Sequence, residues 1–162
     1  MTHTHLIESI AAELKDATKE LRLPTEYMEN PSAENFTTIN IFTQYIPADL
    51  FDVTSYFPCV IVEWLSTEEK LSGKKIGSTV RVGLSIGVFA KEADGWKDAF
   101  HLVEICRERL LRKRTIAERF RLVDEVSWET AQNQPTPFFF VYAELEYDMF
   151  QIQEPFDSLT EG

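Results

Sequence analysis

The stretch TVRVGLSIGVF, residues 79–89, decides the fold class of this 162-residue chain. Aliphatic residues fill every second position from Val80 to Val88, and the residues between them are small or polar, which is the period of a strand with one buried face. Gly83 and Gly87 share the other face, and glycine weakens a strand unless another element approaches closely. We therefore predict a strand whose glycine face is covered by a helix or by a neighbouring subunit.

Other segments on both sides of this strand also have strand character. Residues 57–65 (FPCVIVEWL) are almost continuously apolar, as in a strand that is covered on both faces. Residues 66–77 (STEEKLSGKKIG) are polar and contain glycine, so we predict a connection there, long for a hairpin loop. The remaining predicted strands are rich in β-branched and aromatic residues and cover 36–45, 119–129 and 138–150.

Two amphipathic helices complete the pattern, at residues 4–22 and 95–113. In each segment apolar residues recur at steps of three and four, which places them on one stripe of the helix. Pro24 ends the first helix, and Asp94 is the predicted N-cap of the second. Both helices therefore have one apolar stripe to bury.

The predicted fold class is α+β, with the element order α-β-β-β-α-β-β. Short links between successive strands favour antiparallel pairing, and segregated helices favour one shared face. We expect a single domain over residues 1–155 and a frayed C-terminal tail at 156–162. The sheet is predicted to be antiparallel or mixed, with four to five strands and both helices on one face. Aliphatic contacts beneath the helices come from Ile10, Leu14, Val103 and Leu110.

The charge and the cysteines of the chain exclude several classes of function. A formal net charge of −11 disfavours sequence-specific binding of nucleic acid, because that affinity comes largely from Lys and Arg on phosphates. The same charge suits a surface along which DNA passes without binding. Cys59 and Cys106 lie in apolar runs and fit a reducing compartment. We predict no membrane span, because no stretch approaches the required ~18 apolar residues.

Three carboxylates in the last predicted strand are the main candidate for a functional surface. Glu144, Glu146 and Asp148 are spaced by two residues, so their side chains share one face of the strand. Three interpretations stay open: a solvated outer face, a site for a hard cation, or an acidic wall lining a channel. A second candidate is the basic connection that contains Lys70, Lys74 and Lys75, which could reach the acidic face of a neighbouring copy.

Catalytic motifs are missing from the sequence. It contains no nucleophile elbow, P-loop, dinucleotide fingerprint, zinc-protease helix or paired C-x-x-C. His3 and His5 form an H-x-H pair that we expect to lie in a solvated tail ahead of the first helix. His101 and Cys106 are separated by about 500° of helical rotation, so they do not form a nucleophile pair. We predict no catalytic residue, no metal and no cofactor.

Four motifs resemble the tail-terminator and related neck or tail-completion proteins of tailed bacteriophages. They are the strand YFPCVIVEW (56–64), the helix start DGWKDAFHLVEICRERLL (94–111) after a strand ending in Val-Phe, the later Trp-Glu (128–129), and the run P-x-PFFFVYAELEY (135–147). The resemblance covers roughly residues 56–150.

The resemblance implies a small α+β subunit that forms a ring, commonly a hexamer, in the tail or neck of a phage or prophage virion. Such a ring caps the tail tube and offers a surface to the head connector proteins. It assembles in the host cytoplasm, lets DNA pass without specific binding, and has no membrane partner. Two alternatives stay open: a small bacterial binding or regulatory module, and a carboxylate-based metal enzyme.

Overall fold

The structure is a computed structural model that describes residues 3–25, 36–46, 56–72, 75–90, 94–135 and 137–149. Within these ranges the fold is α+β, as predicted, with two helices and eight strands. The helices are α1 (His3–Thr18) and α2 (Trp96–Arg112), and the strands are β1 (Leu23–Pro24), β2 (Phe36–Thr37), β3 (Asn40–Thr43), β4 (Cys59–Ser72), β5 (Lys75–Phe89), β6 (Thr115–Ile116), β7 (Phe120–Thr130) and β8 (Phe138–Met149).

The main sheet is mostly antiparallel and has the strand order β3-β4-β5-β8-β7-β6 over the described residues. Of the described strand pairs in this sheet, β3–β4 alone is parallel, while β1 and β2 form a separate two-stranded sheet. The predicted count of four to five strands was therefore too low. The two-residue strand β6 is too short to produce an alternation that a sequence pattern could reveal. The predicted strand at 36–45 is also divided, because its first part leaves the main sheet to pair with β1.

Both helices pack on one face of the main sheet, as predicted. The alternating aliphatic residues of β5 and the inward residues of β8 meet the apolar stripes of α1 and α2 in one buried core. The four aliphatic residues expected beneath the helices all belong to this core: Ile10, Leu14, Val103 and Leu110.

The ends of the two helices differ in detail from the prediction. Helix α1 ends at Thr18, earlier than residue 22, and the Thr18 hydroxyl donates to the Leu14 carbonyl at 2.8 Å. Helix α2 is capped by Gly95 and has no side-chain cap bond. Asp94 is therefore not the N-cap, and its carboxylate instead pairs with Lys97 at 3.4 Å.

The glycine face of β5 is covered by the subunit's own side chains, and the prediction of a helix there was wrong. The helices occupy the opposite face of the strand. A Cβ added to Gly87 would lie 2.5 Å from Phe57 Cε1 and 2.8 Å from Phe140 Cε1, and one added to Gly83 would lie 3.3 Å from Leu65. These glycines therefore make room for two rings and a leucine that pack over this face of the sheet.

The predicted polar connection at 66–77 is a continuation of β4 and β5. Thr67 pairs with Val80 and Ser72 with Lys75, after a shift of register between Trp64 and Ser66. The error has a physical cause, because a hairpin that projects beyond the core is held by its backbone ladder and needs no apolar alternation. Residues 73–74, which follow β4 in sequence, lie outside the described residues, as does the predicted tail at 156–162.

Two glutamine side chains take the place of strand residues at the margins of the sheet. The Gln44 amide accepts from the Trp64 N–H at 2.9 Å and donates to the Trp64 carbonyl at 3.3 Å. Gln134 does the same for Phe140, at 2.7 Å and 3.0 Å. A primary amide has the donor and acceptor of a peptide group, so each one extends the hydrogen-bond ladder by one residue.

A cluster of ion pairs joins the two helices. Arg109 Nη1 lies 3.2 Å from Glu13 Oε2 and 2.8 Å from Asp16 Oδ2, and Lys113 also binds Glu13. The hydrogen bond from Lys113 is the main cause that lowers the pKa of Glu13, although partial burial opposes it. The hydrogen bond from Arg109 is the main cause that lowers the pKa of Asp16.

We expect acidification to weaken this helix–helix contact. Because both pKa values are lowered on folding, the unfolded chain binds more protons in acid, and stability falls as the pH drops through the carboxylate range. Arg109→Gln should lower the free energy of unfolding near neutral pH by about 0.5–1 kcal/mol and flatten its pH dependence. Urea denaturation between about pH 3 and about pH 7 measures both effects.

The matched control for this prediction is Arg107→Gln. Arg107 is exposed on the same helix and has no ion pair within the described part of the chain. The Arg107→Gln variant should show the same dependence of unfolding free energy on pH as the wild type. A wild-type profile in Arg109→Gln would contradict the assigned role of the cluster.

Candidate functional site

The face of the main sheet opposite the helices carries the predicted acidic row. Glu144, Glu146 and Asp148 point to this open face, while their neighbours Leu145 and Tyr147 are buried in the core. The shared face follows from the strand alternation, so the sequence placed these three side chains correctly relative to one another.

A basic and a hydroxyl side chain of the neighbouring strand β5 bind two carboxylates of the acidic row. Arg81 hydrogen-bonds to Glu144 and lies opposite Glu146, and the Thr79 hydroxyl donates to Asp148 Oδ1 at 3.0 Å. The hydrogen bond to Glu144 is the main cause that raises the pKa of Arg81. Within the described ranges no group of three His, Cys, Asp or Glu side chains is arranged to hold a metal ion. The row is therefore a partly neutralised surface.

A groove of about 430 Å³ lies beside the row in the middle of the open face. Its base is low because Gly83 has no side chain, and Leu65 and Tyr142 form part of its wall. Three glutamates line it from three different strands, namely Glu63 on β4, Glu129 on β7 and Glu144 on β8.

Two of the groove glutamates were not singled out in the sequence. Glu63 is the single carboxylate of its predicted strand, and Glu129 is the last residue of a strand that also contains Asp124 and Glu125. For Glu129 the available signal was the alternation of its own strand, which places it on the outer face. The segment 57–65 is almost continuously apolar, so it contains no such signal for Glu63. Their meeting with Glu144 depends on strand order and register, which no local pattern contains.

Aromatic side chains cover the open face at the end opposite the acidic row. The rings of Phe57 and Phe138 stack with centroids 4.3 Å apart, and Phe140 meets Phe57 edge to face at 5.5 Å. Tyr142 stacks on Phe140 at 6.1 Å and reaches the groove. The open face therefore runs from an aromatic end, through the acidic groove, to a charged end.

The basic residues predicted to lie in a loop are distributed over a hairpin. Lys70 is an exposed residue of β4, opposite Gly77, and Lys75 is the first residue of β5. Lys74 lies outside the described residues. The prediction of a basic loop is therefore corrected to a projecting β-hairpin that carries Lys70 on the same side of the sheet as Arg81 and Glu144.

The histidines and cysteines lie apart from the groove. His3 is the first residue of α1 and stacks on Trp64 at 5.4 Å, so the H-x-H pair does not precede the helix as predicted. Cys59 and Cys106 are buried, and desolvation raises the pKa of each thiol to about 12. A thiol with so high a pKa is a poor nucleophile at neutral pH.

No protein-family model matches this chain, and no curated protein sequence matches it significantly. Over the residues that the structure describes, neither helix is long and apolar enough to cross a membrane.

Proposed function

We propose that this protein is a ring-forming structural component of a tailed phage or prophage, a tail terminator or a head–tail joining protein. The observation that supports this function best is the presence of two complementary surfaces on one subunit. One is the acidic groove of Glu63, Glu129 and Glu144, and the other is the projecting hairpin with Lys70.

Two different surfaces are what a closed ring requires. A ring arises from a head-to-tail contact, in which one patch of each copy meets a different patch of the next. The exposed hairpin extends past the part of β4 that β3 covers, so it is available to a neighbour. Opposite charges across such a contact fix register and partner choice, with a modest gain in affinity. The hexamer is the ring size that the family resemblance implies.

The charged end of the open face suits the passage of DNA. Glu146 and Asp148 lie beyond the groove on β8, in a chain of net charge −11. An acidic wall repels phosphates, so DNA slides along it without a binding well. In the proposed assembly these carboxylates face the channel, the tail tube protein lies below the ring, and the head connector lies above it.

This function needs no catalytic group. Two of the three carboxylates of the row have hydrogen-bond partners on β5, Glu144 with Arg81 and Asp148 with Thr79. The binding-module alternative predicts a subunit that neither self-assembles nor recognises tail tubes, so one experiment separates it from the proposal.

Reversing one charge on the hairpin tests the ring contact. We expect Lys70→Glu to weaken ring formation about tenfold, because it places a like charge against the groove, while the subunit stays folded. Adding Glu129→Lys should restore assembly, and Lys15→Glu, on the exposed side of α1, is the charge-matched control.

Sedimentation across a concentration series, with and without purified tail tubes, provides the measurement. A ring on the tubes that responds to Lys70→Glu but not to Lys15→Glu supports the proposal. A strict monomer that ignores tail tubes contradicts it and favours the binding module.

A further inference from the structure

Among the residues that the structure describes, no strand pairs with the outer edge of β4 over much of its length. β3 pairs only with Cys59–Val62, and the Gln44 side chain covers the backbone of Trp64. From Leu65 to Ser72 this edge meets no other strand among the described residues. Leu71 near its end is 78% exposed. An unpaired edge of this kind is a template for an additional strand.

The direction of the free backbone groups follows from the bonds already made. The Val62 carbonyl accepts from the Gln44 N–H at 2.8 Å, so even-numbered residues point outward before the register shift. Leu65 is an extra residue in β4, whereas β5 pairs with β8 without any shift of register. The backbone groups that point outward therefore change from even-numbered to odd-numbered residues after Leu65. Beyond it, the outward-pointing groups therefore belong to Thr67, Glu69 and Leu71.

We propose that a second copy of this chain pairs with the edge, antiparallel and around a two-fold axis at Glu69. In this register Glu68 of each copy lies opposite Lys70 of the other, which gives two pairs of opposite charge. An axis at Glu68 would place the two copies of Glu68 opposite each other, and an axis at Lys70 would do the same with the two copies of Lys70. Both arrangements oppose like charges. Only the axis at Glu69 makes these two side chains complementary.

The same register covers the exposed leucine. Leu71 of each copy lies opposite Thr67 of the other, on the face of the sheet that carries the helices. The Thr67 hydroxyl accepts from Trp64 Nε1 at 2.9 Å and lies 3.2 Å from His3 Nδ1. Trp64 and His3 line a mostly apolar pocket of about 290 Å³ with Ile7. Directly opposed side chains lie about 5 Å apart, so Leu71 reaches the rim of this pocket.

The pairing has one unfavourable contact, which makes the register testable. The two Glu69 side chains face each other across the axis, and like charges directly opposite destabilise a strand pair. Only about seven residues of each copy take part, well short of a standard interface. The dimer is therefore weak and depends on concentration, and removing the Glu69 charge tightens it.

This dimer does not rest on the proposed function, but the two contacts compete. Both use Lys70, so a subunit paired along β4 cannot also place its hairpin in a neighbour's groove. The paired copies keep their open faces on the same side of one continuous sheet. The dimer is then a form of the protein outside the ring, and it must dissociate before its subunits can join a ring.

Sedimentation velocity on the full chain tests the dimer. Wild type should show a monomer–dimer equilibrium, and Glu69→Thr should tighten it about threefold. Lys70→Glu should weaken it about tenfold, and Glu68→Lys with Lys70→Glu should return it to near the wild-type value. Glu125→Thr removes the same charge from an exposed position on β7 and should have no effect.

The outcomes separate this proposal from the ring contact. A wild type that stays monomeric, or a dimer indifferent to Glu69→Thr, overturns the β4 pairing. Rescue of Lys70→Glu by Glu129→Lys, with none by Glu68→Lys, also overturns it and leaves the ring contact standing. Rescue by Glu68→Lys, with a mass of two subunits, supports the pairing whether or not rings form on tail tubes.

Discussion

Leu102→Asp should unfold much of the protein at ambient temperature. Leu102 lies on α2, is fully buried, and belongs to the core between the helices and the sheet. An aspartate there is either ionised in an apolar surrounding or protonated at a cost, and no described cation is placed to pair with it. We expect a loss of about 4 kcal/mol or more in the free energy of unfolding.

The control for this variant is Arg107→Asp, which introduces the same residue at an exposed position of the same helix. Chemical denaturation followed by circular dichroism measures both. The free energy of unfolding of the Arg107→Asp control should stay within about 0.5 kcal/mol of the wild-type value. A Leu102→Asp protein with the wild-type denaturation midpoint would show that α2 does not cover the sheet.

Gly87→Val should cause the second-largest loss of stability, and it acts on the face of the sheet opposite the helices. The added Cβ would overlap the rings of Phe57 and Phe140, which are themselves held by stacking on Phe138 and Tyr142. The rings must move together, because each one packs against the next. We expect a loss of about 2–3 kcal/mol, as is typical of overpacked sites.

Gly77→Val provides the comparison for the same substitution. Gly77 also lies on β5, but an added Cβ there has only the Lys70 carbonyl oxygen near it, at 4.0 Å. Valine suits an exposed strand, so stability should be unchanged or slightly raised. Thermal unfolding of both variants settles the question, and equal melting temperatures would mean that the aromatic end is loosely packed.

Periodicity predicted most of the architecture. The alternation at 79–89 identified β5, and the apolar stripes identified α1 and α2, because burial of one face leaves a regular trace in the sequence. The outer half of the β4–β5 hairpin left no such trace, since exposed side chains lie on both of its faces. The parallel pairing of β3 also has no local signal, because it depends on how the intervening chain crosses over.

The candidate site was predicted only in part, for a related reason. The row of Glu144, Glu146 and Asp148 lies within one strand, so the sequence contains it directly. The binding of Arg81 to Glu144, and the meeting of Glu63 with Glu129, depend on the register between strands. A change of one residue in that register would move each partner to the other face.

The strand order has a consequence for how the chain is made. β8 lies at the centre of the main sheet, between β5 and β7, yet it follows every other described strand along the chain. During synthesis the β4–β5 hairpin leaves the ribosome early and can form by itself. The edge of β5 that pairs with β8 stays unpaired until α2, β7 and finally β8 have been synthesised. Until then the nascent chain exposes open strand edges, so translation that stalls before residue 138 would leave an aggregation-prone intermediate.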